Sequence, residues 1–156
     1  MASQLQLGKM YARGDAVPRD SKLAAEWIRK AAKTGQPEPK TALAMLHLQD
    51  DEATRDPSQA EELLKEAAEG GDSAAAMQLG HLYSGKYAVV AEPEGAISWY
   101  TKAAEAGNVE AQYTLGMLHL IGRGVKVDFT KGANWIENSW RFYGLTVSVG
   151  NYVLHW

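Results

Sequence analysis

KAAKTG at residues 30–35 recurs as EAAEGG at residues 66–71 and as KAAEAG at residues 102–107. The glycines that close the three stretches are spaced by 36 residues, with no insertion between them. A leucine column keeps the same period at Leu7, Leu43, Leu79 and Leu115. Repeats of this length are typical of helical solenoids, because each unit can bury its apolar face only against its neighbours.

Each repeat is predicted to contain two helices, since its apolar residues recur at helical spacing. Helix A is expected at residues 3–13, 38–49, 74–84 and 110–121, and helix B at 21–33, 57–69, 93–106 and 129–140. The column before helix B is acidic (Asp20, Asp56, Glu92, Asp128), which is typical of an N-cap. The glycine after helix B is typical of a left-handed residue. Repeat two has no glycine in its loop, residues 50–53, so we expect a different turn there.

The order of these columns resembles the Sel-one-like repeat, a relative of the tetratricopeptide repeat. Repeat four carries the fullest match, at Ala111, Leu115-Gly116, Gly122, Gly124-Val125, Asp128, Lys131 and Trp135. The resemblance implies an all-α, right-handed superhelical solenoid over residues 1–140, with repeats at about 3–36, 37–72, 73–108 and 109–140. It also implies a scaffold or adaptor that binds a protein or peptide and catalyses no reaction.

Composition narrows the function classes. The chain has 156 residues, 46% of them hydrophobic, a net charge of -3 and no cysteine. A nucleic-acid partner is not expected, because it would need a basic face. Zinc bound by thiolates and disulfide bonds are excluded. We expect no cofactor, no metal, no transmembrane segment and no signal peptide, and the compartment, cytoplasm or periplasm, stays open.

A stripe on helix A, opposite the core columns, varies between repeats and predicts the partner site. Its apolar and methionine-bearing composition favours a concave groove for a peptide or a partner helix. The alternative is that the stripe packs on the neighbouring helix A. The predicted groove residues are Lys9, Thr41, Met45, Leu48, Met77, His81, Ser84, Tyr113, Met117 and Leu120.

His47 and His119 occupy a column that is tyrosine in the other two repeats, at Tyr11 and Tyr83, which favours buried packing over catalysis. No histidine pair has the i, i+4 spacing of a helical metal site, and no nucleotide-binding or serine-nucleophile motif is present. An alternative is a hydrolase of the branch of this family that has been associated with β-lactam-directed activity. That branch carries paired cysteines in each repeat, so the absence of cysteine disfavours it.

The repeat register ends after Asn138, and residues 141–156 form an apolar, acid-free tail. Apolar residues alternate with other residues on either side of Gly150-Asn151, which predicts a β-hairpin. Such a hairpin would be only marginally stable unless its apolar face packed on another surface. That surface is either Trp135 and its neighbours or a second chain, and we favour self-association into a homo-oligomer. The other interpretation is a repeat fragment with an engineered or out-of-frame tail. The predicted association residues are Leu145, Val147, Val149, Tyr152, Leu154 and Trp156.

Overall fold

Eight helices arranged as four pairs make up the structure, a computed structural model that describes residues 2–49, 51–87 and 91–141. The all-α prediction is confirmed, and each described helix begins and ends within one residue of its predicted bounds. The predicted hand of the superhelix stays a prediction, and the six tail residues Leu145 to Trp156 lie outside the described residues. The helices are α1 Ala2–Arg13, α2 Ser21–Ala32, α3 Pro37–Leu48, α4 Pro57–Glu69, α5 Ser73–Tyr83, α6 Pro93–Glu105, α7 Val109–Ile121 and α8 Phe129–Arg141.

The acidic column caps helix B in three of the four repeats. The carboxylates of Asp20, Asp56 and Asp128 accept hydrogen bonds of 2.8–3.0 Å from backbone N–H groups two or three residues later. Glu92 makes no such bond, because its side chain is one methylene longer than that of aspartate. The predicted capping bonds are therefore present for the aspartates, whereas Glu92 holds the predicted N-cap position without a side-chain bond.

One backbone hydrogen bond closes the loop of every repeat. The N–H of the acidic residue before helix B donates to the carbonyl of the aromatic or histidine column on helix A. The four bonds are Asp20 to Tyr11 at 3.0 Å, Asp56 to His47 at 3.0 Å, Glu92 to Tyr83 at 2.8 Å and Asp128 to His119 at 2.9 Å.

The loop of repeat two differs from its counterparts, as its sequence predicts. Repeats one and four pass through positive φ twice, at Gly14 and Ala16 and at Gly122 and Gly124. Residues 51–56 of repeat two contain no positive φ. Thr54 and Arg55 instead donate their N–H groups to the carbonyl of Asp51.

The core consists of three clusters, and each cluster spans two consecutive repeats. Helix A approaches helix B closely at its glycine column. A Cβ atom on Gly8 would lie 2.5 Å from Ile28 Cγ1, and one on Gly116 would lie 2.6 Å from Ile136 Cγ1. Trp99 packs against two of these clusters, so it contributes to packing between repeats.

Candidate partner-binding surface

The predicted stripe on helix A faces the next repeat along the chain. Lys9 Nζ lies 2.9 Å from Glu38 Oε1, and His81 Nε2 lies 3.6 Å from Glu110 Oε1. Both pairs join helix A of one repeat to helix A of the next, and both join residues that are 29 positions apart. Lys9 and His81 therefore contact the neighbouring helix A, which is the alternative to a groove.

Two of the predicted groove residues belong to the core. Met77 is 1% exposed and packs in one cluster with Ala111 and Leu115 of α7. Leu48 is 3% exposed and lies in the cluster that joins repeats two and three. The prediction that Leu48 and Met77 line a groove is wrong, because the following repeat covers them.

Three further members of the stripe are partly buried between elements. The Thr41 hydroxyl donates to Asp72 Oδ2 at 2.6 Å, next to the start of α5. Met45 packs against the cluster that joins repeats two and three. Leu120 lies over Gly132, where a Cβ atom would meet Leu120 Cδ2 at 2.8 Å. The ten predicted residues therefore do not form one continuous groove.

Repeat four leaves its part of the stripe open. Tyr113, Met117 and Ile121 are 48%, 37% and 59% exposed, and they lie on one side of α7 at i, i+4 and i+8. The position equivalent to Tyr113 in repeat three is Met77, which α7 covers. No described residue takes the place of a next helix A over repeat four. We call Tyr113, Met117, Ile121 and Trp140 the end face.

Trp140 gives the end face a shape that the internal junctions lack. Its column is alanine in repeats one to three, at Ala32, Ala68 and Ala104. Ala104 is 1% exposed, and its carbonyl accepts a hydrogen bond of 3.1 Å from Gln112 Nε2 of α7. In repeat four the same column carries an indole, which is 36% exposed. The repeat register of the sequence fails at this residue, but the sequence pattern did not indicate Ile121 or Trp140 as site residues.

A cavity of about 380 Å³ lies where α5, α6 and α7 meet. Ile97 and Leu118 form apolar walls, and Ser84, the tenth predicted residue, lies at its edge. The Tyr100 hydroxyl, which also lines the cavity, is hydrogen-bonded to His81 Nδ1 at 3.1 Å. Burial raises the pKa of Tyr100, so this hydroxyl stays protonated at neutral pH.

The comparison with protein families matches the Sel1 repeat to residues 2–35, 41–72, 73–108 and 109–138. The chain belongs to the Sel1 repeat family. This confirms the resemblance given by the sequence columns, including the number of repeats. A comparison with curated proteins gives no match.

Solved structures agree with this assignment to the Sel1 repeat family. A Sel1 repeat protein from Oxalobacter formigenes is 28% identical, with a TM-score of 0.76 over 90% of this chain and 57% of that one. A protective antigen of uropathogenic Escherichia coli with an SLR fold is 30% identical, with a TM-score of 0.77 over 90% of this chain and 30% of that one. This Sel1 repeat chain thus spans only part of the length of both proteins.

The Helicobacter pylori cysteine rich protein B shares the fold of this Sel1 repeat protein. It is 20% identical, with a TM-score of 0.61 over 79% of this chain and 88% of that one. Identity at this level supports the fold alone. That protein is named for its cysteines, whereas the present chain has none.

The two histidines of the tyrosine column are buried in this Sel1 repeat protein, at 5% exposure for His47 and 8% for His119. His47 Nδ1 is hydrogen-bonded to the carbonyl of Thr54 at 2.6 Å. His119 Nδ1 has no hydrogen-bond partner among the described residues. Over the same residues, no group of three histidine, cysteine or acidic side chains is placed to hold a metal ion. No described helix is both long and apolar enough to cross a membrane.

Proposed function

We propose that this chain is a non-catalytic protein–protein interaction scaffold that binds an apolar polypeptide segment on repeat four. The observation that carries the proposal is the exposed apolar line of Tyr113, Met117 and Ile121 on α7. Exposed apolar side chains that are contiguous, rather than scattered singly, mark interaction surfaces. We therefore propose repeat four, rather than all four repeats, as the binding surface.

An amphipathic helix is the partner that suits this surface. In repeat three, the side chain equivalent to Tyr113 is covered by a helix, α7. A partner helix would meet Tyr113 and Met117 at the same helical spacing, with apolar anchors three or four residues apart. Methionine adapts to irregular partners, and tyrosine adds a hydroxyl at the edge of the contact.

Charge beside the apolar line further defines the partner. Glu110 lies one helical turn before Tyr113 and its side chain is largely exposed. A basic residue next to the partner's apolar anchors would complement this carboxylate and would favour one orientation of the helix. We therefore propose a partner segment that is apolar on one face and basic at one end.

The experiment is a selection of displayed amphipathic peptides on the immobilised chain, followed by affinity measurement for each peptide. Tyr113→Glu combined with Met117→Glu should weaken binding by at least tenfold, the factor that about 1.4 kcal/mol produces. The matched control is Gln59→Glu combined with Ser98→Glu, which adds the same charge at two exposed positions on other helices. Equal affinity of the two double variants, with unchanged helical circular dichroism, would place the binding site elsewhere.

A further inference from the structure

A pocket of about 420 Å³ lies between helix B of repeat one and the loop of repeat two. Residues 53–56 of the loop line it together with His47 of α3. A hydrogen bond from the Ser21 hydroxyl to Asp51 Oδ2 joins α2 to the loop nearby. The pocket therefore belongs to the junction between two repeats and is separate from repeat four. Its lining residues on α2 are Lys22, Ala25, Glu26 and Arg29.

Two buried residues of this pocket carry a polar atom without a hydrogen-bond partner. His47 is 5% exposed and Thr54 is 9% exposed, and neither His47 Nε2 nor Thr54 Oγ1 is hydrogen-bonded to any residue that the structure describes. His47 Nδ1 carries the ring hydrogen in its bond to the Thr54 carbonyl, because a carbonyl oxygen can only accept. In the neutral ring Nε2 is then an acceptor. Buried polar groups are normally paired, so both residues favour a polar ligand.

The next junction of the solenoid shows which groups fill the equivalent place. There the Tyr83 hydroxyl donates to Glu61 Oε1 at 2.6 Å, and Lys65 Nζ lies 2.6 Å from the same oxygen. A phenol, a carboxylate and a cation thus join helix B of one repeat to helix A of the next. The equivalent residues 36 positions earlier are His47, Ala25 and Arg29.

The pocket lacks two of the groups that complete that second junction. Ala25 has no carboxylate where Glu61 has one, and the ring of His47 carries no hydroxyl. Arg29 keeps the cation of the column, yet its side chain makes no ion pair or hydrogen bond with the described part of the chain. A ligand that supplied a carboxylate and a hydrogen-bond donor would therefore replace the missing groups.

Charge around the pocket favours an anionic ligand. Asp56 already accepts the N–H of Gln59 as the cap of α4, and the Arg55 guanidinium donates to the Tyr87 carbonyl at 3.2 Å. We therefore expect a bound carboxylate to pair with Arg29. The basic lining residues are Lys22, Arg29 and Arg55, and the acidic ones are Glu26 and Asp56.

From this comparison of junctions we propose that the pocket binds a carboxylate ligand with an N–H or O–H donor next to the carboxylate. The carboxylate takes the place of that of Glu61, where it pairs with Arg29 and accepts from the Thr54 hydroxyl. The donor meets His47 Nε2. Two sources have this chemistry: the last residue of a polypeptide, with its amide N–H, and a free hydroxy acid. The site goes beyond the proposed function, because repeat four has no part in it.

NMR titration of the full chain with N-acetylalanine tests the proposal, since this compound carries both groups. Shifts are expected at the amides of residues 53–56 and at the His47 ring. N-acetylalaninamide lacks the carboxylate and should not bind. Arg29→Gln should weaken binding of N-acetylalanine by about tenfold or more, because a charge-assisted hydrogen bond is lost. Arg13→Gln on α1 is the matched control, since it removes the same charge at another exposed position and should leave the affinity unchanged.

Two further variants separate a ligand site from a purely structural role. Thr54→Val removes only the unpartnered hydroxyl, so it should weaken binding without lowering the melting temperature. Ala25→Glu restores the carboxylate of the next junction and should abolish binding by pairing with Arg29. Because Ala25 is buried, circular dichroism checks this variant, and Thr54→Val carries the test if Ala25→Glu does not fold.

The two sources of the carboxylate are distinguished by comparing acetyl-trialanine with lactate. Tighter binding of the peptide indicates the end of a polypeptide, and tighter binding of lactate indicates a free hydroxy acid. Equal shifts with N-acetylalanine and its neutral amide, or equal affinities of Arg29→Gln and Arg13→Gln, would overturn the proposal. None of these measurements involves Tyr113 or Met117, so a failure here and a failure of the peptide-binding proposal are distinguishable.

Discussion

Lys9 on α1 and Glu38 on α3 form an ion pair with a nitrogen–oxygen distance of 2.9 Å. His81 and Glu110 occupy the same two positions two repeats later, with a distance of 3.6 Å between His81 Nε2 and the carboxylate. The recurrence shows that this position on helix A faces helix A of the next repeat in both places. Open apolar surface on α7 is therefore a consequence of its place in the last described repeat.

The junction between repeats three and four should weaken as pH falls. Burial lowers the pKa of His81 below its usual value of 6.5, Lys86 lowers it further, and Glu110 partly opposes both effects. Unfolded chains then bind more protons than folded ones between the two pKa values, so the free energy of unfolding decreases as pH falls below about 6.5.

We expect His81→Gln to reduce the loss of stability between about pH 7.5 and about pH 5.5, measured by urea unfolding at each pH. Glu110→Gln should lower the pKa of His81 further, as measured by NMR titration of its ring. A histidine that titrates above 6.5 in the folded protein would contradict this prediction.

The glycine column should not tolerate a methyl group. At Gly80 a Cβ atom would overlap the ring of Tyr100, so Gly80→Ala should lower the free energy of unfolding by about 1–3 kcal/mol. Gly95 in α6 is the control, because its nearest neighbour would be Tyr83 Cδ1 at 3.4 Å. Gly95→Ala should stabilise by up to about 1 kcal/mol through helix propensity. Thermal melting of both variants checks the opposite signs.

Acidic residues before helix B should stabilise the fold where the side chain accepts a capping hydrogen bond, and much less where it does not. Asp56 accepts a hydrogen bond from the N–H of Gln59 at 3.0 Å, so Asp56→Ala should cost about 1 kcal/mol of stability. Glu92 makes no cap bond, so Glu92→Ala should cost clearly less. If the denaturant midpoints shift equally in the two variants, the capping hydrogen bond is not the cause of the stability loss in Asp56→Ala.

Two histidines of one column should respond differently to the same substitution. His119→Tyr removes a buried nitrogen without a hydrogen-bond partner, so it should be neutral or stabilising by up to about 1 kcal/mol. His47→Tyr breaks the bond between His47 Nδ1 and the Thr54 carbonyl and should destabilise by about 1–3 kcal/mol. Calorimetric melting of both variants tests the contrast.

Repetition in the sequence allowed the helices to be predicted closely. A period of 36 residues placed every helix, because spacing, capping and glycine stops are local properties of the chain. The same local logic failed at Glu92, where residue charge predicted a cap that the side-chain geometry does not form. Local sequence signals therefore predict reliably where a helix begins, but less reliably which side-chain atoms stabilise its N-terminus.

The sequence by itself determined the family, the repeat boundaries of the helices and the columns that form the core. Only the tertiary structure decided which side of helix A is open, because a periodic pattern cannot distinguish a face that meets solvent from one that meets the next repeat. Met77 and Tyr113 hold equivalent positions, yet Met77 is 1% exposed and Tyr113 is 48% exposed. The difference is the presence of α7 over Met77, which is a property of packing between repeats rather than of either residue.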